Sequence, residues 1–125
     1  MRNPRKQGKA AANGSSPLDR ARISKTVRTF LDKRRPPAPV RAKLDYGFHF
    51  HNQSVELFEV RPKFRGTGTA EHPFAKATFV KSLGIWKIYW MRSNLKWYRY
   101  EPDQVSSLDG FLKIVDDDEN GCFFG

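Results

Sequence analysis

His49 and His51 stand two positions apart in an alternating stretch, so on a strand both imidazoles point to one side. A metal centre there would need His72 or Cys122 as a further ligand, because protein-built centres normally take three or four donors held by a hydrogen-bonded outer shell. With Phe48 and Phe50 turned inward, the two histidines are expected on the outer face as surface residues, and no metal or cofactor is assigned to them. A second group, Asp45, Glu56 and Glu59 beside Arg61 or Lys63, has the residue types of a metal-dependent hydrolase such as a nuclease, although the spacing departs from the acid-x-Lys ending typical of such sites. Asp116-Asp117-Asp118-Glu119-Asn120-Gly121 matches the first six positions of a calcium loop. The bidentate acid of position twelve would fall beyond Gly125, so an acidic helix end closing in an Asn-Gly turn is expected instead. Cys122-Phe123-Phe124-Gly125 has the length of a prenylation box but the wrong residues, and Cys122 is expected as a small buried hydrophobe. The sequence contains no phosphate loop, no Gly-x-Ser-x-Gly and no convincing Cys/His nucleophile pair.

The other chemistry-bearing pattern is aromatic and cationic. If Ser93-Asn94 is a two-residue turn, Trp90 opposes Trp97, Tyr89 opposes Tyr98 and Lys87 opposes Tyr100, and alternation sorts the hairpin into two faces. Trp86, Ile88, Trp90, Leu95 and Trp97 form a platform for helices; Lys87, Tyr89, Met91, Lys96, Tyr98 and Tyr100 form the other face. Phenol rings beside ammonium groups can stack bases and track phosphates, the chemistry of single-strand binding surfaces. The same residues also suit a partly wet sheet face with no ligand.

These side chains need a scaffold, and the chain has the means to build one. It holds 125 residues, of which 38% are hydrophobic, including 10 Phe, 4 Tyr and 3 Trp, which is enough for one domain and excludes full disorder. No apolar run reaches the ~20 residues of a membrane span, and Met1-Arg2-Asn3-Pro4-Arg5-Lys6 opens on no apolar leader, so a cytoplasmic protein without a membrane partner is expected. One cysteine excludes an internal disulfide. The net charge of +10 is unevenly placed: residues 1–43 carry +11, residues 44–60 carry −3, residues 61–99 carry +8 and residues 100–125 carry −6. Clustering of this kind, and not the total, argues for a polyanionic partner.

Residues 1–15 contain no large apolar side chain and are expected as a flexible basic tail, with residues 16–125 as a single domain. Ser16 and Asp19 frame a helix start at Pro17; Ile23, Val27, Phe30 and Leu31 give that helix (16–35) a narrow apolar stripe, and Pro36-Pro37-Ala38-Pro39 ends it. From Leu44 the period becomes two. Strands are expected at 44–51, 55–60, 74–81, 85–92 and 95–101, a meander of about five. A second helix (106–116) is expected from the Ser106/Asp109 cap pair and from Leu108, Phe111, Leu112 and Val115, with Gly110 weakening it by roughly 1 kcal/mol. The class is α+β: an antiparallel meander packed by an N-terminal basic helix and a C-terminal helix.

Glu56-Leu57-Phe58-Glu59-Val60-Arg61-Pro62, Ala75-Lys76-Ala77-Thr78, Trp86-Lys87-Ile88-Tyr89-Trp90-Met91-Arg92, Leu95-Lys96-Trp97-Tyr98-Arg99-Tyr100-Glu101-Pro102 and the ending Gly121-Cys122-Phe123-Phe124-Gly125 resemble a small bacterial family defined only as a domain of unknown function. Asp and His often stand in that family where this chain has Asn94 and Tyr98, which counts against acid/base chemistry at the hairpin. The resemblance covers residues 44–125 and implies a bacterial, intracellular domain with a structured C-terminus; it transfers no site.

The expected function is a non-enzymatic nucleic-acid-binding module. Arg2, Arg5, Lys6, Lys9, Arg22 and Lys25 would contact phosphates, and Lys87, Tyr89, Lys96, Tyr98 and Tyr100 would form the sheet surface. The alternatives are a regulatory module docking an acidic protein, and a metal-dependent hydrolase at Asp45, His49, His51, Glu56 and Glu59.

Overall fold

The structure, a computed structural model, describes residues 17–124. Ser16 and the basic residues Arg2, Arg5, Lys6 and Lys9 lie outside the described residues. Helix α1 (Pro17–Arg34) leads through a single 3-10 turn (Ala38–Val40) into β1 (Asp45–His51), β2 (Ser54–Pro62), β3 (Thr69–Val80), β4 (Ile85–Met91) and β5 (Trp97–Val105), and α2 (Leu108–Asp117) follows. The five strands pair antiparallel in sequence order. The α+β meander is therefore as the sequence patterning implies.

Both helices serve one face of the sheet. Ile23, Val27 and Leu31 of α1 and Phe111, Leu112 and Val115 of α2 share a buried cluster with Val55, Leu57, Ala75, Ala77, Trp86 and Ile88. The stripe that the heptad-like spacing marks on α1 is thus the buried one, with Phe30 half-covered beside it. Alanine at two central β3 positions lets α2 approach the sheet closely while larger residues fill in around it.

Two turns set the registers. Asn52 and Gln53 both have positive φ, 48° and 68°, the conformation of a two-residue turn matched to strand twist, and His51 pairs with Ser54 across it. The β4–β5 turn is one residue longer than expected. The Arg92 N–H donates to the Lys96 carbonyl (3.1 Å), the Leu95 N–H donates to the Arg92 carbonyl (2.8 Å), and Leu95 takes a left-handed φ of 63°. Leu95 is consequently 78% exposed at the turn and not part of the helix platform. One inserted residue moves every following side chain of β5 to the opposite face, because the strand period is two. Trp90 therefore opposes Tyr98, and Met91 opposes Trp97.

Other boundaries also move. Strand β3 begins at Thr69, and β5 continues past a cis Glu101–Pro102 bond to Val105. The cap of α2 is Ser107 and not Ser106: Ser107 is extended, and its Oγ accepts from the Gly110 N–H at 3.1 Å.

The C-terminal segment closes the core. Asp118 is left-handed (φ 45°), and its carboxylate accepts from the Phe123 N–H (3.0 Å) and the Phe124 N–H (2.8 Å). The turn so formed drives Phe123 against Tyr100, centroids 5.0 Å apart, and Phe124 against Phe74 (5.3 Å) and Tyr46 (5.8 Å). Arg34 at the end of α1 lies 3.8 Å above the Phe124 ring and pairs with Asp116 at 3.1 Å. Lys113 pairs with Asp117 at 3.1 Å. The side chains at the calcium-ligand positions, Asp116, Asp118 and Asn120, each have another partner: Arg34, the Phe123 and Phe124 N–H groups, and the Tyr100 hydroxyl. Cys122 is half-buried, and burial pushes its thiol pKa up.

Arg35 fastens the exit of α1 to the sheet. Its Nε and Nη2 donate to the two Asp45 carboxylate oxygens at 2.9 and 2.8 Å, while the Tyr46 N–H donates to Oδ1 at 2.9 Å. The guanidinium, then the backbone N–H, hold the Asp45 carboxyl below the usual carboxylate range. A depressed folded pKa contributes stability that is present above the unfolded value of about 3.9 and disappears as pH falls through the lower folded value. Arg35→Ala is expected to destabilise at neutral pH and to reduce the loss of stability on acidification below about pH 4, measured by urea unfolding at several pH values.

Candidate nucleic-acid interface

The face turned away from the helices is built by alternation. In β1 it carries Gly47, His49 and His51, since Tyr46, Phe48 and Phe50 pack with the core. Opposite them stand Phe58, Glu56 and Ser54 of β2. Lys76 and Thr78 of β3 follow, then Tyr89 and Lys87 of β4, and Arg99 and Gln104 of β5. The same registers align His49, Glu56, Lys76, Tyr89 and Arg99 in one row across five strands. Trp97, opposite Met91, adds a second ring next to Tyr89.

The two halves of this face differ in charge. On the β1 side, His49 Nε2 lies 2.7 Å from Glu71 Oε1 and its ring stacks on Phe58 at 4.7 Å. The tip of the Phe58 ring in turn lies against Gly47, where an added Cβ would come within 2.6 Å of the ring. That contact explains how an aromatic side chain on an uncovered face stays buried. On the β3–β5 side, the Lys76 ammonium sits 5.0 Å from the Tyr89 ring centre and 4.7 Å from that of Trp97, within cation–π range of both. Lys87 stands between Thr78 and Gln104, and Arg99 is largely exposed with Asp103 at 3.6 Å. Two half-exposed rings and three cations therefore share one open surface, on which Glu56 stands opposite Lys76, Asp103 lies beside Arg99, and Glu71 of β3 is engaged by His49.

The placements of the expected site residues follow from this arrangement. Lys87 and Tyr89 are on the open face as expected. Tyr98 and Tyr100 are not, and the longer turn is the reason. Tyr98 lies on the helix side with Arg92 4.2 Å above its ring and Asn94 donating to its hydroxyl at 2.7 Å. Tyr100 is 4% exposed, stacked on Phe123, with Asn120 donating to its hydroxyl at 3.2 Å, and burial raises its pKa. Trp97, expected on the helix platform, takes the open position they leave. Lys96 is exposed in the turn. Arg22 pairs with Asp19 at 3.3 Å, and Lys25 lines a groove between the helices whose other walls include Asp109, Asp116 and Asp117. On the sheet, Arg99 has Asp103 at 3.6 Å and Lys76 stands opposite Glu56, while Lys87 has no ion pair among the described residues.

The hydrolase constellation does not converge. Asp45 is engaged by Arg35, and Glu59 pairs with Arg61 at 2.8 Å on the Tyr46 side of the sheet. His72, opposite Glu59, faces away from His49, while His51 Nε2 lies 2.9 Å from Asn52 Nδ2. Among the described residues no three His, Cys, Asp or Glu side chains are grouped to hold a metal ion. Nor is any described helix long and apolar enough to cross a membrane.

Sequence reasoning misses Lys76, Trp97 and Arg99. Lys76 is legible in principle, since Ala75 and Ala77 alternate with it, but Trp97 and Arg99 depend on the turn length. Residues 15–125 match the family described as a domain of unknown function (DUF3024), and the chain belongs to that family. No curated protein and no solved structure matches it.

Proposed function

We propose that this DUF3024 chain is a non-enzymatic module that binds single-stranded nucleic acid across the open face of β3, β4 and β5. The observation that carries the reading is the juxtaposition of Tyr89 and Trp97 with Lys76, Lys87 and Arg99 on a sheet face that no described helix covers. Aromatic rings accept any base by stacking, and neighbouring cations track the phosphates without reading sequence. Lys76 lies over both rings in cation–π contact, which makes its ammonium the cation nearest to a base stacked on either ring. Arg2, Arg5, Lys6 and Lys9 add sequence-independent phosphate contacts that raise affinity without defining the site.

The test is equilibrium titration of fluorescent single- and double-stranded DNA and RNA at several salt concentrations, with the full chain and with residues 1–15 removed. Salt-dependent preference for single strands that survives the truncation supports the reading. Absence of binding at ~50 mM salt, or binding by the tail alone, overturns it.

A further inference from the structure

The β2–β3 hairpin outruns its neighbours. Strand β1 pairs with β2 only as far as Asp45 with Val60, and β4 pairs with β3 only as far as Trp90 with Ala75, whereas β2 and β3 continue together to Pro62 with Thr69. The end of this pair is a two-stranded arm, closed where the Lys63 N–H donates to the Gly68 carbonyl at 3.1 Å. Gly66 and Gly68, at φ 83° and 89°, make the turn with no side chain packed near either.

At the tip stands Phe64, 96% exposed. A ring this exposed is available to something outside the chain, and what distinguishes it from other exposed apolar residues such as Leu83 and Leu95 is its cationic surroundings. Arg65 lies 5.8 Å above it, and Arg61 and Lys63 complete a tip that holds no acid between residues 61 and 70. Arg61 is paired with Glu59, which leaves Lys63 and Arg65 as its free-standing cations among the ion pairs of the described residues. The arm also leaves the sheet at the end where Met91 and Trp97 lie, about 20 Å along an extended strand from Ala75 to the turn.

We infer that Phe64 is a second base-stacking contact, which takes an unpaired base of the same strand at the tip of the arm while Lys63 and Arg65 hold the flanking phosphates. This inference rests on the reading of the open face as a single-strand site. Charge complementarity and the lone ring both point to nucleic acid. A loop that enters a lipid surface needs more apolar area than one phenylalanine among threonine and glycine supplies, whereas a single ring suffices to stack one base.

The experiment compares the full chain with Phe64→Ala, Phe64→Trp, Lys63→Ala/Arg65→Ala and Tyr89→Ala/Trp97→Ala for binding to a labelled oligothymidylate across salt, with phosphatidylcholine/phosphatidylserine vesicles as the second probe. Phe64→Ala is expected to lose roughly 5- to 100-fold in affinity at an unchanged salt slope, and Phe64→Trp to retain it. Replacing both Lys63 and Arg65 is expected to make the salt slope shallower by about 0.7 for each phosphate that the two side chains neutralise. Since the ring touches no core residue, the melting temperature of Phe64→Ala should equal that of the full chain. Wild-type affinity for Phe64→Ala, with binding weakened in the Tyr89/Trp97 variant, overturns the arm alone. An affinity that Phe64→Ala lowers on vesicles but not on the oligonucleotide overturns it in favour of lipid. No oligonucleotide binding by the full chain removes the sheet reading and the arm with it.

Discussion

Phe123→Ala is expected to destabilise the domain by about 3–5 kcal/mol, the range for removing a buried phenylalanine. The ring is almost fully buried and stacks on Tyr100, which itself sits in the core because β5 turns it inward. Truncation leaves a cavity whose walls include a tyrosine with a buried ring, and the rigid sheet under it cannot collapse to fill the gap. Against a typical total of roughly 5–15 kcal/mol, that loss lowers the urea midpoint substantially and the melting temperature by about 10–20 °C. Phe123→Leu should recover part of it. A midpoint that does not move would show that the C-terminal segment does not close the core. The Asp118 carboxylate, accepting from both Phe123 and Phe124, is the local cause of the placement, so the ending of the chain acts as a clasp held by one aspartate.

The second large effect concerns the open face. Tyr89→Ala combined with Trp97→Ala is expected to weaken single-strand binding by about 30-fold or more, because each stacked base contributes roughly 1–3 kcal/mol to such surfaces. Tyr89→Phe and Trp97→Phe keep a ring and should keep most of the affinity, which separates stacking from hydrogen bonding by the phenol or indole. Unfolding curves on the same variants identify any share of the loss that comes from destabilisation, since Tyr89 and Trp97 are each half-covered. Full-strength binding by the double alanine variant would place the nucleic acid elsewhere on the protein.

Much of the fold is legible from residue order. The alternation of Tyr46, Phe48 and Phe50 with Gly47, His49 and His51 sorts β1 correctly, because a strand with one buried face must show it in period two. Likewise Ile23, Val27 and Leu31 mark the buried stripe of α1. What escapes is the length of one turn. Ser93-Asn94 has the composition of a two-residue loop, and nothing in the sequence announces that leucine, a residue ill suited to positive φ, occupies the left-handed position after it. The consequence is out of proportion to the cause. A one-residue difference exchanges Tyr98 and Tyr100 for Trp97 and Arg99 on the open face, and with them half of the expected binding surface.

The charge pattern survives in altered form. Of the nine basic residues between 61 and 99, the fold sets Lys76, Lys87 and Arg99 on the open face and Lys63 and Arg65 on the arm, while Arg61 pairs with Glu59, Arg92 lies over Tyr98, and Lys81 and Lys96 stand outside the strands. On α1, Lys25 and Lys33 are exposed and line a groove with Asp109, Asp116 and Asp117 of α2. Phe64 is equally legible as an apolar residue without periodic company, but its meaning depends on the projection of the hairpin, which only strand pairing reveals.

The most direct measurement is the salt dependence of single-strand affinity for the chain lacking residues 1–15. Three phosphate contacts from Lys76, Lys87 and Arg99 and two from Lys63 and Arg65 predict a fall of log K with log salt of slope about −3 to −4, at about −0.7 per contact. A slope near zero, or no binding at ~50 mM salt, would contradict the assignment of the open sheet face to nucleic acid.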